Sequence, residues 1–135
     1  MSDLFHKLRE TAEHYGVGSY SRHVFLCIGP DCCSNEEGQA AWEVLKRELK
    51  SRGLSMSRVP GACYRTKAGC LRICRGGPIL VVYPEGTWYA QMTANRIPRF
   101  VQEHLIENRP IEEWIFARNP LPREEPGAAT NPSAP

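Results

Sequence analysis

Six cysteines fall in two bursts along 135 residues: Cys27, Cys32 and Cys33, then Cys63, Cys70 and Cys74. Two pairs within them have ligand-like spacing, Cys27-x4-Cys32 and Cys70-x3-Cys74, the second inside GCLRICRGGP. Short-range pairs from distant parts of a chain can meet around one metal centre, and four thiolates are what an iron–sulfur cluster or a structural zinc requires. A two-iron cluster takes two thiolates on each iron, so each pair needs a loop that folds its sulfurs together. Gly29-Pro30 supplies such a turn in the first pair, while Gly69 and Gly76-Gly77 flank the second. Small residues also let backbone N–H groups approach the sulfurs. Cys32 and Cys33 are adjacent, so their side chains point in different directions and do not suit the same iron together.

Other chemistries fit less well. Structural zinc favours C-x2-C knuckles, whereas these pairs are x4 and x3, and spacing alone leaves zinc and iron–sulfur nearly even. Thiol–disulfide exchange needs two cysteines separated by two residues at a helix start, and no C-x-x-C occurs. Neighbouring cysteines such as Cys32-Cys33 form only strained disulfides. His6, His14, His23 and His104 have no motif context, and a two-histidine iron site finds no Cys-x-His pair. There is no P-loop and no dinucleotide-binding glycine motif.

The bulk composition supports one domain with one modest core. A hydrophobic content of 41% and a charged content of 24% are ordinary for a globular chain. The net charge of +2 gives no global attraction to nucleic acid or to anionic membrane, and neither is expected as a partner. The N-terminus, MSDLFHKLRETAEHYG, mixes charged and apolar residues unlike a signal peptide. The longest apolar run, Pro78 to Pro84, is too short to span a bilayer. A cytoplasmic location is therefore expected, where cysteines serve as ligands or redox groups rather than as structural disulfides.

The elements that must position these thiols are legible in outline. Leu4, Leu8 and Ala12, with Phe5, mark an amphipathic helix over residues 3–15, stopped by Gly16 and Gly18. HVFLCI, from His23 to Ile28, reads as a buried strand that delivers Cys27 to its end. Ser34-x-x-Glu37 is a capping box, predicting a helix from about Asn35 to Arg52 with Ala41, Val44, Leu45 and Leu49 inward and Gly53 closing it. Leu54 to Pro60 reads as a weak second strand, and Gly61 to Gly77 as a loop carrying three cysteines. Pro78 to Tyr83 is a third strand, joined through Pro84-Glu85-Gly86 to a fourth over Thr87 to Met92. A last helix starts near Thr93 to Asn95, with Pro98 tolerated in its first turn and Ile97, Val101 and Leu105 buried. The predicted organisation is an N-terminal arm over 1–21, a folded domain over 22–118 and a disordered proline-rich tail over 119–135.

This β-α-β, loop, β-β-α order predicts an α/β fold: a four-stranded mixed sheet with flanking helices, on a thioredoxin-like plan. HVFLC-x4-C together with GCLRICRGGPILVVYPEGTWYAQM resembles the thioredoxin-like [2Fe–2S] ferredoxins. It is similar, too, to the small iron–sulfur subunit on the NADH-oxidising arm of respiratory complex I. The resemblance spans roughly residues 22–118. It implies one [2Fe–2S] cluster held by Cys27, Cys32, Cys70 and Cys74, one-electron transfer between protein partners with no substrate turnover, and a homodimer. Cys33 and Cys63 depart from the simplest pattern. The plain reading of both is a small buried hydrophobe, with ligand or alternate ligand as the other. The rival to an electron carrier is a sensor or interaction module with structural zinc or a static cluster.

Arg65, Lys67, Arg72 and Arg75 lie among the second set of cysteines, and no acidic residue occurs from Val59 to Pro84. They predict a basic collar around a near-surface cluster, able to steer an acidic redox partner, against the plain reading of a solvated loop. Trp88, Tyr89, Trp114 and Phe116 read first as core. The apolar positions 111, 114, 115 and 116 suit cover for a sheet edge or a subunit interface.

Overall fold

The computed structural model describes residues 2–121. Its first element, α1 (Ser2–His14), is the expected amphipathic helix, and it keeps Leu4, Phe5 and Leu8 half-exposed. The apolar run RHVFLC forms β1 (Arg22–Cys27), whose Val24 and Leu26 point into the core. Ser34 caps α2 (Asn35–Ser51): its hydroxyl accepts from the Glu37 N–H, and the Glu37 carboxylate returns to the Ser34 N–H. Ala41, Trp42, Leu45 and Leu49 form the buried stripe of α2, at the spacing a helix needs to present one face.

The chain then departs from the sequence reading. Leu54 to Pro60 forms no strand, apart from a single bridge between Ser55 and Cys63. The second strand is instead β2 (Cys63–Ala68), inside the segment expected as loop. It runs parallel to β1, with Arg22 opposite Cys63 and Cys27 opposite Ala68. β2 is an edge strand, and edge strands carry charged residues such as Arg65 and Lys67 that mask the apolar signal. β3 (Leu80–Tyr83) lies antiparallel on the other side of β1 and pairs with β4 (Thr87–Tyr89) as the expected hairpin.

α3 (Ile97–Phe100) has Pro98 in its first turn and continues over Val101–Ile106 with wider, i to i+5 hydrogen bonding. Ile97, Phe100, Val101 and Leu105 are buried. After a short 3-10 turn at Glu112–Trp114, β5 (Ile115–Arg118) adds a fifth strand beside β4. The sheet therefore has five strands in the order β2-β1-β3-β4-β5, not four. The apolar segment after Pro110 covers the sheet edge by joining it. Asn119 and Leu121 remain attached, their N–H groups donating to the carbonyls of Gly86 and Pro84. The rest of the tail expected to be disordered lies outside the described residues. No helix among the described residues is long and apolar enough to cross a membrane.

One face of the sheet meets α2 and α3 in a core built around Val24, Leu26, Leu45, Leu80, Val82 and Phe100. A buried polar chain ties this core to the C-terminal segment. The Glu85 carboxylate can only accept, so His104 Nε2–H donates to it at 2.7 Å. The other ring nitrogen, Nδ1, lies 2.7 Å from the Tyr89 hydroxyl, which also accepts from the Ile111 N–H. Arg22 Nε reaches the same Glu85 oxygen at 2.7 Å. The opposite face of the sheet is aromatic. His23 stacks on Phe25 at 4.0 Å and meets Tyr64 across the strands, and Trp88 meets Phe116.

Candidate metal centre

β1 ends at Cys27, and the chain turns through Gly29, whose φ is +91°. A side chain at Gly29 would run into the Cys33 carbonyl, so the turn is closed by backbone contact that only glycine permits. The turn returns Cys32 to Cys27: their Sγ atoms are 2.7 Å apart, and both are free thiols. Both are buried, and they pack with Ile79 beneath Leu71, Trp88 and Ala90. Trp88 thus packs against the small cluster that contains the thiol pair, a role nothing in its sequence context marks.

The second pair sits on the loop between β2 and β3. Positive φ angles at Arg72 (74°), Cys74 (63°) and Gly76 (70°) coil this loop tightly. The Arg72 N–H donates to Cys70 Sγ at 3.2 Å. Cys70 and Cys74 are exposed, and with Asp31 their donor atoms all lie within 4.8 Å of one another. Asp31 belongs to the first loop, so it reaches across to the second pair.

Backbone bonds hold the two loops together at one end of the sheet. The Ile28 N–H donates to Ala68 C=O at 3.0 Å, Cys27 N–H to Ile79 C=O at 2.8 Å, and Gly77 N–H to Cys32 C=O at 2.9 Å. Cys27 Sγ lies 3.9 Å from the carbonyl oxygen of Gly69, the residue before Cys70. All four thiols read from the spacing therefore gather at one end of β1 as two pairs. The three-donor group of Asp31, Cys70 and Cys74 includes neither Cys27 nor Cys32. A mononuclear tetrahedral ion with sulfur at about 2.3 Å needs all its thiolates within about 3.8 Å of one another. Two separate pairs match two irons with two thiolates each.

The two remaining cysteines lie in different surroundings. Cys63, at the start of β2, is fully buried in the main core, where burial pushes its thiol up to about 11. Cys33 is half-buried, with its Sγ 3.7 Å from that of Cys32. Burial raises its thiol as well, partly offset by the hydrogen bond to Cys32. The Cys32 thiol is pushed up to about 12, first by burial and then by its hydrogen bonds with Cys27 and Cys33. Cys74 is raised by its hydrogen bond with Cys70 and by slight desolvation, then by the Cys70 and Asp31 charges, while Arg72 opposes the shift. Sulfurs crowded in this way repel one another as thiolates unless cations sit between them, and coordination to a metal deprotonates such thiols outright. The donor set thus fits an iron–sulfur group.

Of the four cations expected in a collar, Lys67, Arg72 and Arg75 are exposed. Arg65 is set apart: its guanidinium lies 5.3 Å from the ring centre of Trp42, on the helix-covered side.

No family model matches the chain. It is 36% identical over 93 residues to a 2Fe-2S ferredoxin of Clostridium pasteurianum, an alignment covering 64% of this chain and 85% of that one. A 2Fe-2S ferredoxin of Aquifex aeolicus is 27% identical over 105 residues, covering 75% of this chain and 94% of that one. A solved structure of the thioredoxin-like [2Fe-2S] ferredoxin from Aquifex aeolicus superposes with a TM-score of 0.63 at 25% identity, covering 73% of this chain and 99% of that one. The sequence relationship, the shared fold and the two convergent thiol pairs agree: the chain belongs to the thioredoxin-like [2Fe–2S] ferredoxin family, and it is a small electron carrier with a [2Fe–2S] cluster, not an enzyme.

Proposed function

We propose that Cys27 and Cys32 hold one iron and Cys70 and Cys74 the other, and that electrons pass to protein partners through the exposed Cys70–Cys74 side. The observation that carries this reading is the meeting of two loops, each bringing a close thiol pair, at one end of the sheet. When bound, the cluster supplies reversible one-electron chemistry. The protein does the rest. Ile79, Leu71 and Trp88 keep water from the buried pair, while the Arg72 N–H bond to Cys70 orients that ligand and draws charge from its sulfur. No bond in a substrate is made or broken, so the requirement on the fold is rigidity at one end and access at the other.

Individual Cys→Ser substitutions, read by visible absorbance and electron paramagnetic resonance, test the ligand set. Loss of the native spectrum at each of the four positions supports it. A retained native spectrum at any of them overturns that assignment, and a colourless protein holding zinc overturns the redox reading.

The partner reading has two parts. Exposed Lys67, Arg72 and Arg75 support an acidic redox partner docking over the second loop. The aromatic sheet face supports a homodimer in which a second copy covers it. Tyr20, His23, Phe25 and Tyr83 line an open apolar groove of about 600 Å³ there. Light scattering on the purified chain reads the copy number, and a monomer at all concentrations rejects the dimer. A cytoplasmic location is part of the same proposal, supported by a cysteine set whose spacing suits ligands rather than a disulfide framework.

A further inference from the structure

Away from the thiols, one side chain is left in an unusual state. Arg65 points from edge strand β2 towards α2 and stacks on Trp42, and its Nε–H is buried without a hydrogen-bond acceptor. A buried, unpartnered charged donor is costly, and an anion that neutralises the guanidinium through its outer N–H groups offsets part of that cost. Burial lowers the Arg65 pKa, with only the Glu43 charge opposing.

The surroundings of Arg65 are cationic and hollow. Two adjoining clefts of about 410 and 370 Å³ share Arg65 and Lys50 as lining. One adds the hydroxyl residues Ser55 and Ser57, and the other adds Lys46 and Arg47. Glu43 also borders the second cleft, but both its oxygens are engaged: Lys46 Nζ lies 3.2 Å from one, and Gln39 donates to the other at 2.8 Å. Among the described residues, Arg47, Lys50 and Arg65 form no ion pair.

We infer that this α2–β2 edge is a binding site for a phosphate group, free or carried on a small molecule. The planar guanidinium of Arg65, fixed by Trp42, offers paired donors at the wall between the clefts. Lys50 supplies a second charge on the same wall, and the serine hydroxyls can complete the donor set around phosphate oxygens. The site is separate from the thiol loops and does not depend on the ligand assignment.

Calorimetric titration of the cluster-loaded, full-length protein with inorganic phosphate, at fixed ionic strength, tests the inference. Saturable binding in the millimolar range or tighter is expected, weakened by about tenfold or more in Arg65→Gln and in Lys50→Gln. Arg99→Gln is the control: Arg99 already pairs with Glu103 and stacks on Trp114, so affinity should not change. Lys50 is exposed, so its substitution leaves folding intact even if Arg65→Gln does not. Tighter binding of glycerol phosphate than of phosphate would identify a carried group, and equal binding would identify the free ion. No saturation, equal weakening by the Arg99 substitution, or binding of an acidic peptide without binding of phosphate would each overturn the proposal.

Discussion

A Cβ added to Gly77 would lie 2.8 Å from the Cβ of Cys32 and 2.9 Å from its Sγ. The two loops therefore touch through a position where no side chain fits, and Gly77 N–H donates to the Cys32 carbonyl across the same contact. Gly77→Ala should push Cys32 away and lower the cluster content of purified protein, read as visible absorbance per chain. Gly69→Ala is the matched control, since a Cβ there meets nothing within 4 Å. Equal cluster content in the two variants would refute the contact's importance.

Cys32 and Cys33 can be told apart by substitution. Cys32 is buried beside Cys27, whereas Cys33 stands outside that pair at 3.7 Å from Cys32. Cys33→Ser should keep the native paramagnetic resonance spectrum, and Cys32→Ser should lose or alter it. The reverse pattern would transfer the ligand role to Cys33.

Much of this candidate site, as the place where two loops bring thiols together, was legible in the sequence because its signals are local. The Cys27-x4-Cys32 and Cys70-x3-Cys74 spacings, the strand feeding Cys27 and the Ser34–Glu37 capping box each lie within a few residues. What escaped was non-local or masked. CYRTKA carries two cations because it is an edge strand, so β2 reads as loop, while LSMSRVP offers scattered apolar residues that never pair. IFAR is only four residues long and gains its identity as β5 from pairing with β4. The chain linking Arg22, Glu85, Tyr89 and His104 joins positions more than eighty residues apart, and no spacing rule announces it. Asp31 also escaped, because its importance comes from facing the other loop, and Gly77 was legible only as a small residue flanking the second pair, not as the contact against Cys32.

The placement of β2 puts Cys63 in the core. At the start of that strand the thiol lies in the main core with no exposed surface, and a bond of 3.6 Å to the Gly61 carbonyl is its polar contact. Cys63→Ala should cost about 1 kcal/mol, the value of one methylene-sized group and the void it leaves, with the cluster spectrum unchanged. Chemical denaturation with parallel absorbance measures both. Loss of the cluster at unchanged stability would contradict the core assignment.

The Glu85 carboxyl is pulled in two directions. Burial pushes it up, but the hydrogen bond from His104, a backbone N–H and the charge of Arg22 bring it below its usual 4.5. A lowered folded-state value means that the group stabilises the fold above the unfolded value and loses that effect as pH falls through the folded one. The stability lead of the parent chain over Glu85→Gln should therefore be full near neutrality and shrink below about pH 4.5. Thermal melts of both chains across that window give the difference directly. A gap independent of pH would mean that the carboxylate charge contributes nothing.

The exposed cations beside the second thiol pair make the last prediction. Arg72 and Arg75 flank Cys74 with Lys67 nearby, while Asp31 is the acidic group that faces the pair. Charges this exposed contribute little to folding, because water and salt screen them. Their influence on encounter is larger, since attraction over a Debye length of about 8 Å at physiological salt raises association rates. Arg72→Glu combined with Arg75→Glu should slow electron transfer to an acidic acceptor protein by about tenfold at low salt. The salt dependence should also change sign, with salt slowing the parent protein and speeding the variant. Stopped-flow oxidation of the reduced protein across a range of ionic strength measures both effects. An unchanged rate with an unchanged salt slope would remove this loop from the docking surface.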